Sequence, residues 1–282
     1  MKATPRRIAK IIEPQPVVEG AGVRLRRSVA TRSLDYLDPF LLLDHFASKN
    51  PADYQAGFPL HPHRGIETVT YLLVGTVRHK DTLGNSGEIG PGDLQWMTAG
   101  RGIMHEEMPQ VRPEGVAGFQ LWINLPAKLK MIQPRYQNIN ANEIPEIHRE
   151  NSTIRIIAGS VDGVSGPVSG IAADPTYLDV SIAPHATFVQ PIARGHTAFT
   201  YVFDGEARFG AKDQTVITEP RLVVWEDGDT IDINTGKSPV RFLLVSGKPL
   251  GEPIARYGPF VMNTREEIEQ TLREIRDGTF AQ

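Results

Sequence analysis

Hydrophobic residues along this chain recur in short runs that are separated by glycine, proline and small polar residues. The runs are rich in valine, isoleucine, threonine and aromatic residues. Examples are TVTYLLV (68–74), FQLWINL (119–125), TIRIIAG (153–159), TYLDVSI (176–182), AFTYVF (198–203), RLVVW (221–225) and RFLLVS (241–246). Runs of this length with turn residues between them are typical of a β-sandwich or β-barrel. The pattern therefore predicts an all-β protein.

One segment near the C-terminus has the period of a helix instead. In NTREEIEQTLREIRDG (263–278), Thr264 and Glu267 form a capping box, and Gly278 can end the helix. The positions that form one apolar stripe are Ile268, Leu272 and Ile275. We expect a short terminal helix that packs on a sheet.

A faint internal repeat divides the chain. TYLLVGTVRH (70–79) aligns without gaps on TYVFDGEARF (200–209), and GPGDLQWM (90–97) resembles EDGDTIDI (226–233). Two pairs of similar segments in the same order indicate two copies of one β-domain.

The domain boundary and a difference between the copies follow from this repeat. We predict an N-terminal domain over residues 1–140 and a C-terminal domain over residues 141–282, joined through a polar stretch. The register of the repeat places Pro191 and Ala193 opposite two histidines of the first copy. The second domain is therefore expected to lack metal ligands.

Composition narrows the chemistry. Cysteine is absent, which leaves histidine, aspartate and glutamate as the strong metal ligands. The net charge is −3 with no long basic run, so direct nucleic-acid binding is not expected. The N-terminus lacks the apolar core of a signal peptide, and no apolar stretch reaches the roughly 20 residues of a membrane span. We expect a cytoplasmic protein that does not enter a membrane.

Two pairs of potential metal ligands have the spacing that places side chains on one face of a strand. His61 and His63 lie in FPLHPHRGIETVTYLL, and His105 and Glu107 lie in GRGIMHEEMP. Two strands that face one barrel interior would combine the pairs into a site of three histidines and one carboxylate. Such a set suits Fe(II), Mn(II), Ni(II), Cu(II) or Zn(II), and it leaves positions on the ion for a substrate, water or dioxygen.

Several segments closely resemble the pirin family of the cupin superfamily. They are LDPFLLLDHF (37–46), FPLHPHRGIETVTYLL (58–73), PGDLQWMTAGRGIMHEEMP (91–109), FQLWINLP (119–126) and GPFVMNTREEI (258–268). The resemblance implies a bicupin, which consists of two jelly-roll-type β-barrel domains, here with a short C-terminal helix. It also implies one metal ion in the N-terminal barrel.

The same resemblance implies the ligands His61, His63, His105 and Glu107. Fe(II) is the first expectation for the metal, and Mn, Ni, Cu or Zn would also fit. The general cupin motif would nominate Glu67 as a ligand, but pirins use the later glutamate. We therefore expect Glu67 to orient a ligand imidazole through its distal N–H, as carboxylates next to metal sites commonly do.

Other residues are weaker candidates for the pocket. Phe58 and Met97 are expected as apolar walls, and Gln120 as a polar wall. Gln120 shares one strand face with Trp122, for which a packing role is expected, and the sequence leaves open which face lines the pocket. His79 is expected at the surface.

The resemblance implies an enzyme that cleaves flavonols such as quercetin with O2 and releases carbon monoxide. Metal binding would lower the pKa of the flavonol hydroxyl, and Glu107 is the expected base for its proton. The alternative is a non-catalytic, metal-dependent redox sensor that binds a protein partner, such as a transcription factor or a metabolic enzyme. Sugar isomerisation and oxalate decarboxylation are less favoured, because no cluster of added polar groups is visible.

Overall fold

The structure is a computed structural model that describes residues 3–212 and 214–281. These residues form an almost entirely β fold with one C-terminal α-helix, as the sequence predicts. Residue contacts divide the chain into two compact units. The N-terminal unit comprises Gln15–Ala141 with Leu250–Gln282, and the C-terminal unit comprises Met1–Pro14 with Asn142–Pro249.

The secondary-structure elements of the described residues have the following bounds in chain order. The strands are β1 (Ile8–Ile12), β2 (Gln15–Glu19), β3 (Val23–Val29), β4 (Phe40–Ser48), β5 (Phe58–His63), β6 (Ile66–Val74), β7 (Val77–Asp81), β8 (Ser86–Ile89), β9 (Leu94–Thr98), β10 (Ile103–Pro109), β11 (Val116–Asn124), β12 (Arg135–Ile139), β13 (Glu146–Arg149), β14 (Ser152–Ala158), β15 (Ser160–Val161), β16 (Val164–Ser165), β17 (Thr176–Ile182), β18 (Thr187–Pro191), β19 (Thr197–Phe209), β20 (Thr215–Thr218), β21 (Arg221–Trp225), β22 (Thr230–Asn234), β23 (Val240–Gly247), β24 (Ala255–Tyr257) and β25 (Phe260–Met262). The helices are α1 (Arg265–Arg276) and the short 3₁₀ helices Pro51–Asp53, Ala127–Leu129 and Ala141–Glu143.

The division into units differs from the predicted ranges 1–140 and 141–282 at both ends of the chain. Strand β1 pairs antiparallel with β21, so the first residues belong to the C-terminal unit. The last residues belong to the N-terminal unit, where the Val261 N–H donates to the Arg64 carbonyl at 3.1 Å. This exchange is not visible in local sequence patterns, because the pairing partners are far apart in sequence.

The N-terminal unit is built from two main antiparallel sheets. In its described residues one sheet has the order β12-β9-β6-β11-β4-β3-β2, and the other has the order β5-β10-β7-β8. The strands alternate in side-chain direction, so each sheet presents every second residue to the interior. The smaller sheet carries the segments with the predicted metal ligands.

The core of the C-terminal unit contains a cluster of large aromatic side chains. Its main sheet follows the order β1-β21-β19-β23-β17-β14-β13, and β18, β20 and β22 lie off this path. Phe188, Phe209, Trp225 and Phe242 are buried together, with ring centroids 5.8 to 6.1 Å apart. Large aromatic side chains therefore make up much of this core.

The internal repeat has a counterpart in the backbone. Gly75 follows β6 with φ +84°, and Gly205, at the aligned position within β19, has φ +77°. A Cβ at either position would collide with a backbone carbonyl, of Gly115 and Pro239 respectively. The same bend is thus made with glycine in both copies, because only glycine tolerates this backbone at close approach.

Helix α1 has the predicted capping box. The Thr264 hydroxyl accepts from the Glu267 N–H at 3.2 Å, and the Glu267 carboxylate accepts from the Thr264 N–H at 2.9 Å. Ile268 is buried, whereas Ile275 is 38% exposed, so the predicted apolar stripe is narrower than expected. The helix ends just before Gly278, which has φ +70°.

Two buried cations, Arg64 and Lys130, form hydrogen bonds that stabilise the segment after the histidine pair. Arg64 donates to the Thr271 hydroxyl at 3.0 Å and to the Glu274 carboxylate, both on α1. The Lys130 ammonium donates to Gly65 O, Asn124 Oδ1 and Val261 O at 2.7 to 2.9 Å. Since all three protons have acceptors, this buried charge stabilises the turn after β5.

Within the described ranges, none of the helices combines the length and the apolar character needed to span a membrane.

Candidate metal centre

Three histidines converge on one point of the N-terminal unit. Strands β5 and β10 pair antiparallel, with His61 opposite His105 and His63 opposite Ile103. The three imidazole centroids are 4.5, 4.8 and 5.1 Å apart, and the potential ligand atoms lie within 4.8 Å of one another. In the described residues this is the one such group of three potential metal ligands.

The chemistry of these histidines fits a divalent metal. Nδ1 of His63 and both ring nitrogens of His105 are buried without a hydrogen-bond partner. Burial, followed by the neighbouring imidazoles, lowers the pKa of His63 well below its usual range. Burial, followed by the neighbouring imidazoles of His61 and His79, lowers the pKa of His105 to about 3. Neutral imidazoles with unused lone pairs are good transition-metal ligands, which accounts for otherwise costly buried nitrogens.

Glu107 lies next to this cluster but outside the group of three. A bulge in the pairing of β5 and β10 falls between His105 and Glu107. The Glu107 carboxylate is buried, and its Oε1 lies 3.0 Å from the Thr70 hydroxyl. It lines the same cavity as His61 and His63.

Glu67 occupies a different place from the one predicted. Its Oε1 accepts a hydrogen bond from the Thr98 hydroxyl at 2.8 Å. Glu67 and Thr70 are three residues apart on β6, so they point to opposite faces of the strand, and Thr70 faces the cavity. Burial raises the pKa of Glu67 to about 7. The structure therefore gives Glu67 no hydrogen bond through which it could orient a ligand imidazole.

The strand on the other side of β10 adds two polar residues that the sequence analysis did not select. His79 and Asp81 lie on β7 opposite Glu107 and His105, respectively, and both are buried. The expectation of a surface histidine at position 79 was wrong. The signal was present in the sequence, because the alternation in VRHKD places both residues on the side of buried Val77.

A cavity of about 570 Å³ opens beside the histidines. It lies within the N-terminal unit, and its size is within the usual range of small-molecule sites. Most of its walls are apolar. The apolar lining residues include Val23, Leu25, Phe46, Tyr54, Val77 and Val116.

The predicted pocket residues differ in their placement. Phe58 and Gln120 line the cavity, whereas Met97 does not and packs in a core cluster with Ile66 and Ile103. Met97 faces inward, but its side chain fills the interior instead of bordering the cavity.

The structure also shows which face of β11 lines the cavity. Gln120 and Trp122 do so, and Phe119, Leu121 and Ile123 are fully buried. The indole of Trp122 meets the His63 ring edge-on at 5.1 Å and has the Arg256 guanidinium 5.3 Å above it. Trp122 therefore contributes to the site, and the expectation of a packing role alone was too narrow.

Charged residues in the cavity wall are mostly paired. Arg27 donates two hydrogen bonds to the Asp44 carboxylate, at 2.7 and 2.8 Å, and one to Glu19 at 2.7 Å. Bidentate pairs of this kind are rigid. This part of the wall is thus fixed.

Comparison with known proteins places this geometry in a family. The pirin family model matches residues 22–123, and the model of the pirin C-terminal cupin domain matches residues 177–281. A pirin-like protein from Caulobacter vibrioides is 42% identical over 277 residues, which cover 98% of this chain and 99% of that protein. Human pirin is 44% identical over 264 residues, which cover 92% of this chain and 88% of that protein.

A solved structure agrees with these matches. Quercetin 2,3-dioxygenase from Acinetobacter baumannii has a TM-score of 0.88 and 33% identity to this chain, with 98% of each chain covered. The sequence matches extend over both predicted cupin copies, and the fold similarity extends over nearly the whole chain. The chain therefore belongs to the pirin family and has its bicupin fold.

Proposed function

We propose that this protein is a metal-dependent dioxygenase that cleaves flavonols such as quercetin with O2, by 2,3-dioxygenation and release of carbon monoxide. One observation carries the proposal: the three-histidine cluster borders a largely apolar cavity of about 570 Å³. The fold similarity to the Acinetobacter baumannii quercetin 2,3-dioxygenase supports it.

The proposed ligands are His61, His63, His105 and Glu107. The histidines are already clustered, and Glu107 follows His105 at the spacing that keeps both side chains on the inner face of β10. We propose one divalent transition metal, with Fe(II) as the first choice and Mn, Ni, Cu or Zn as alternatives. When bound, the metal supplies the oxygen chemistry and lowers the pKa of a chelating hydroxyl.

Glu107 is proposed to accept the proton of the flavonol hydroxyl. Its carboxylate borders the cavity, and of its roughly four lone-pair sites the hydrogen bond from Thr70 and one bond to the metal would leave at least one for this proton. Glu107→Gln should therefore lower turnover more than flavonol binding. An equal loss of both would instead support a purely coordinating role.

The apolar walls have a separate role. Phe58, Trp122 and the aliphatic side chains around them can contact the flat faces of an aromatic ligand. A bound ligand of this kind would displace water from the cavity, which protects reactive species from side reactions.

The test combines metal analysis with an oxygen-dependent assay. We would measure the metal content of the purified protein and then follow quercetin loss under air and under nitrogen. We expect one metal ion per chain and loss of quercetin only under air, and both should disappear in His105→Ala. The matched control is His148→Ala, because the His148 side chain is 70% exposed and lies in the C-terminal unit.

Two results would contradict the proposal in different ways. Full metal content in His61→Ala or His105→Ala would refute the ligand assignment. A stoichiometric metal without oxygen-dependent quercetin loss would refute the dioxygenase. It would favour the alternative of a metal-dependent protein that senses redox state and binds a protein partner.

A further inference from the structure

The hydroxyl of Thr70 links the cavity wall to the metal centre. Its Oγ1 lies 3.0 Å from Oε1 of Glu107 and 2.7 Å from Oε1 of Gln120. Gln120 is half-buried and lines the cavity, and Glu107 is a proposed metal ligand. The three side chains therefore form a continuous hydrogen-bonded row.

The number of available protons determines which side chain donates and which accepts in each hydrogen bond of this row. A threonine hydroxyl has one proton and can donate only once, but in the arrangement described both of its neighbours are acceptor oxygens. A metal-binding carboxylate has no proton to give back, so Thr70 must donate to Glu107. Gln120 can reverse its contact, because rotation of the carboxamide by about 180° exchanges its oxygen and its NH2 group.

We propose that Gln120 donates its NH2 group to Thr70, that Thr70 donates to Glu107, and that Gln120 thereby presents its carboxamide oxygen to the cavity. Thr70 is a positioning residue that holds the Glu107 carboxylate. Gln120 is a specificity-determining residue that accepts a hydrogen bond from the ligand. This inference rests on the proposed function, which supplies a flavonol-like ligand bound at the metal.

A hydrogen-bond acceptor at Gln120 would restrict the class of ligand further than chelation by the metal does. A hydroxyl–carbonyl pair on an aromatic ring system is sufficient for chelation. An acceptor in the wall adds the requirement for a second, free hydroxyl that can donate to Gln120. Ligands whose other hydroxyls are methylated can accept hydrogen bonds but cannot donate them, so this wall should discriminate against them.

The first experiment measures ligand affinity without turnover. Metal-loaded wild type and Gln120→Leu are titrated under nitrogen with quercetin and with a quercetin methyl ether that keeps only the chelating hydroxyl. Because a neutral hydrogen bond contributes modestly, we expect wild type to bind quercetin about threefold to tenfold more tightly than the ether. In Gln120→Leu, which is similar in volume, this ratio should fall to about one.

The second experiment separates positioning by Thr70 from simple packing. Thr70→Val removes the donor while keeping the shape, and we expect metal affinity to fall about 10- to 100-fold, as is typical when the partner of a ligand is lost. Thr70→Ser keeps the hydroxyl and should restore both metal affinity and the preference for quercetin. The readouts are metal dissociation constants and ligand affinity ratios, which do not depend on turnover.

The outcomes are distinguishable. Equal affinity of wild type for quercetin and its ether, or an unchanged ratio in Gln120→Leu, would overturn the role of Gln120. Unchanged metal affinity in Thr70→Val, or equal losses in Thr70→Val and Thr70→Ser, would overturn the role of Thr70. The expected affinities without quercetin consumption under air would refute the dioxygenase but leave this inference standing, whereas consumption without discrimination would refute only the inference.

Discussion

The buried carboxyl of Glu67 should make the stability of the protein depend on pH in an identifiable way. Burial raises the pKa of Glu67 from 4.5 to about 7, although the hydrogen bond from Thr98 opposes this shift. The folded protein therefore holds the proton to higher pH than the unfolded chain does. The stabilisation from this proton is fully present below about pH 4.5 and is lost as the pH rises through about 7.

The magnitude follows from the size of the shift. At about 1.36 kcal/mol per pKa unit, the change from 4.5 to about 7 corresponds to about 3 kcal/mol in the free energy of unfolding. Glu67→Gln keeps a neutral side chain of the same shape at every pH. The variant should therefore gain up to about 3 kcal/mol relative to wild type between about pH 5 and about pH 8.

The assay is chemical denaturation of metal-free wild type and Glu67→Gln across this pH range. Differences between the two proteins cancel the titration of the histidines, which both share. Glu114→Gln is the matched control, because Glu114 is exposed and its loss should leave the pH profile of wild type unchanged. A constant difference between Glu67→Gln and wild type at all pH values would refute the reasoning.

Three further predictions concern other parts of the N-terminal unit. Lys130→Met leaves buried acceptors unpaired and should lower the free energy of unfolding by about 3 kcal/mol in denaturation at neutral pH; no loss would show that the ammonium is dispensable. Arg64→Ala removes donors to α1 and should accelerate amide hydrogen exchange of the helix, and unchanged protection would contradict this attachment. Met97→Ala should lower the free energy of unfolding by about 2–5 kcal/mol and leave quercetin affinity unchanged. Phe58→Ala should weaken quercetin binding more than it lowers stability, and the reverse pattern would show that Met97 borders the cavity.

Local periodicity was sufficient to find the segments that bring His61, His63 and His105 together. His61 and His63, like His105 and Glu107, are two residues apart, and alternation in a strand places each pair on one face regardless of what surrounds it. The capping box of α1 was equally readable, because its hydrogen bonds join residues three apart. Features of this kind depend on few residues beyond the segment itself.

The wrong predictions concern side chains whose surroundings depend on strands that are distant in sequence. Glu67 was placed next to the imidazoles because the general cupin motif nominates it, yet its side chain lies on the face of β6 opposite Thr70 and accepts a hydrogen bond from Thr98. The sequence alone did not show which face of β11 lines the cavity, because both faces of this strand contain large apolar residues. The prediction for His79 was wrong because the residue lies within β7, where alternation turns its side chain inward with Val77 and Asp81.

The two copies of the β-domain show why a fold and a metal site are separable. The C-terminal unit keeps the glycine-supported bend of the repeat, and large aromatic side chains pack in its core. The aligned positions Pro191 and Ala193 are exposed, and Ile192 between them is buried. Histidines at 191 and 193 would therefore point away from the core. A cluster of the kind formed by His61, His63 and His105 needs inward-pointing positions on one strand and a donor on the strand paired with it, and in the described residues β5 and β10 of the N-terminal unit provide both.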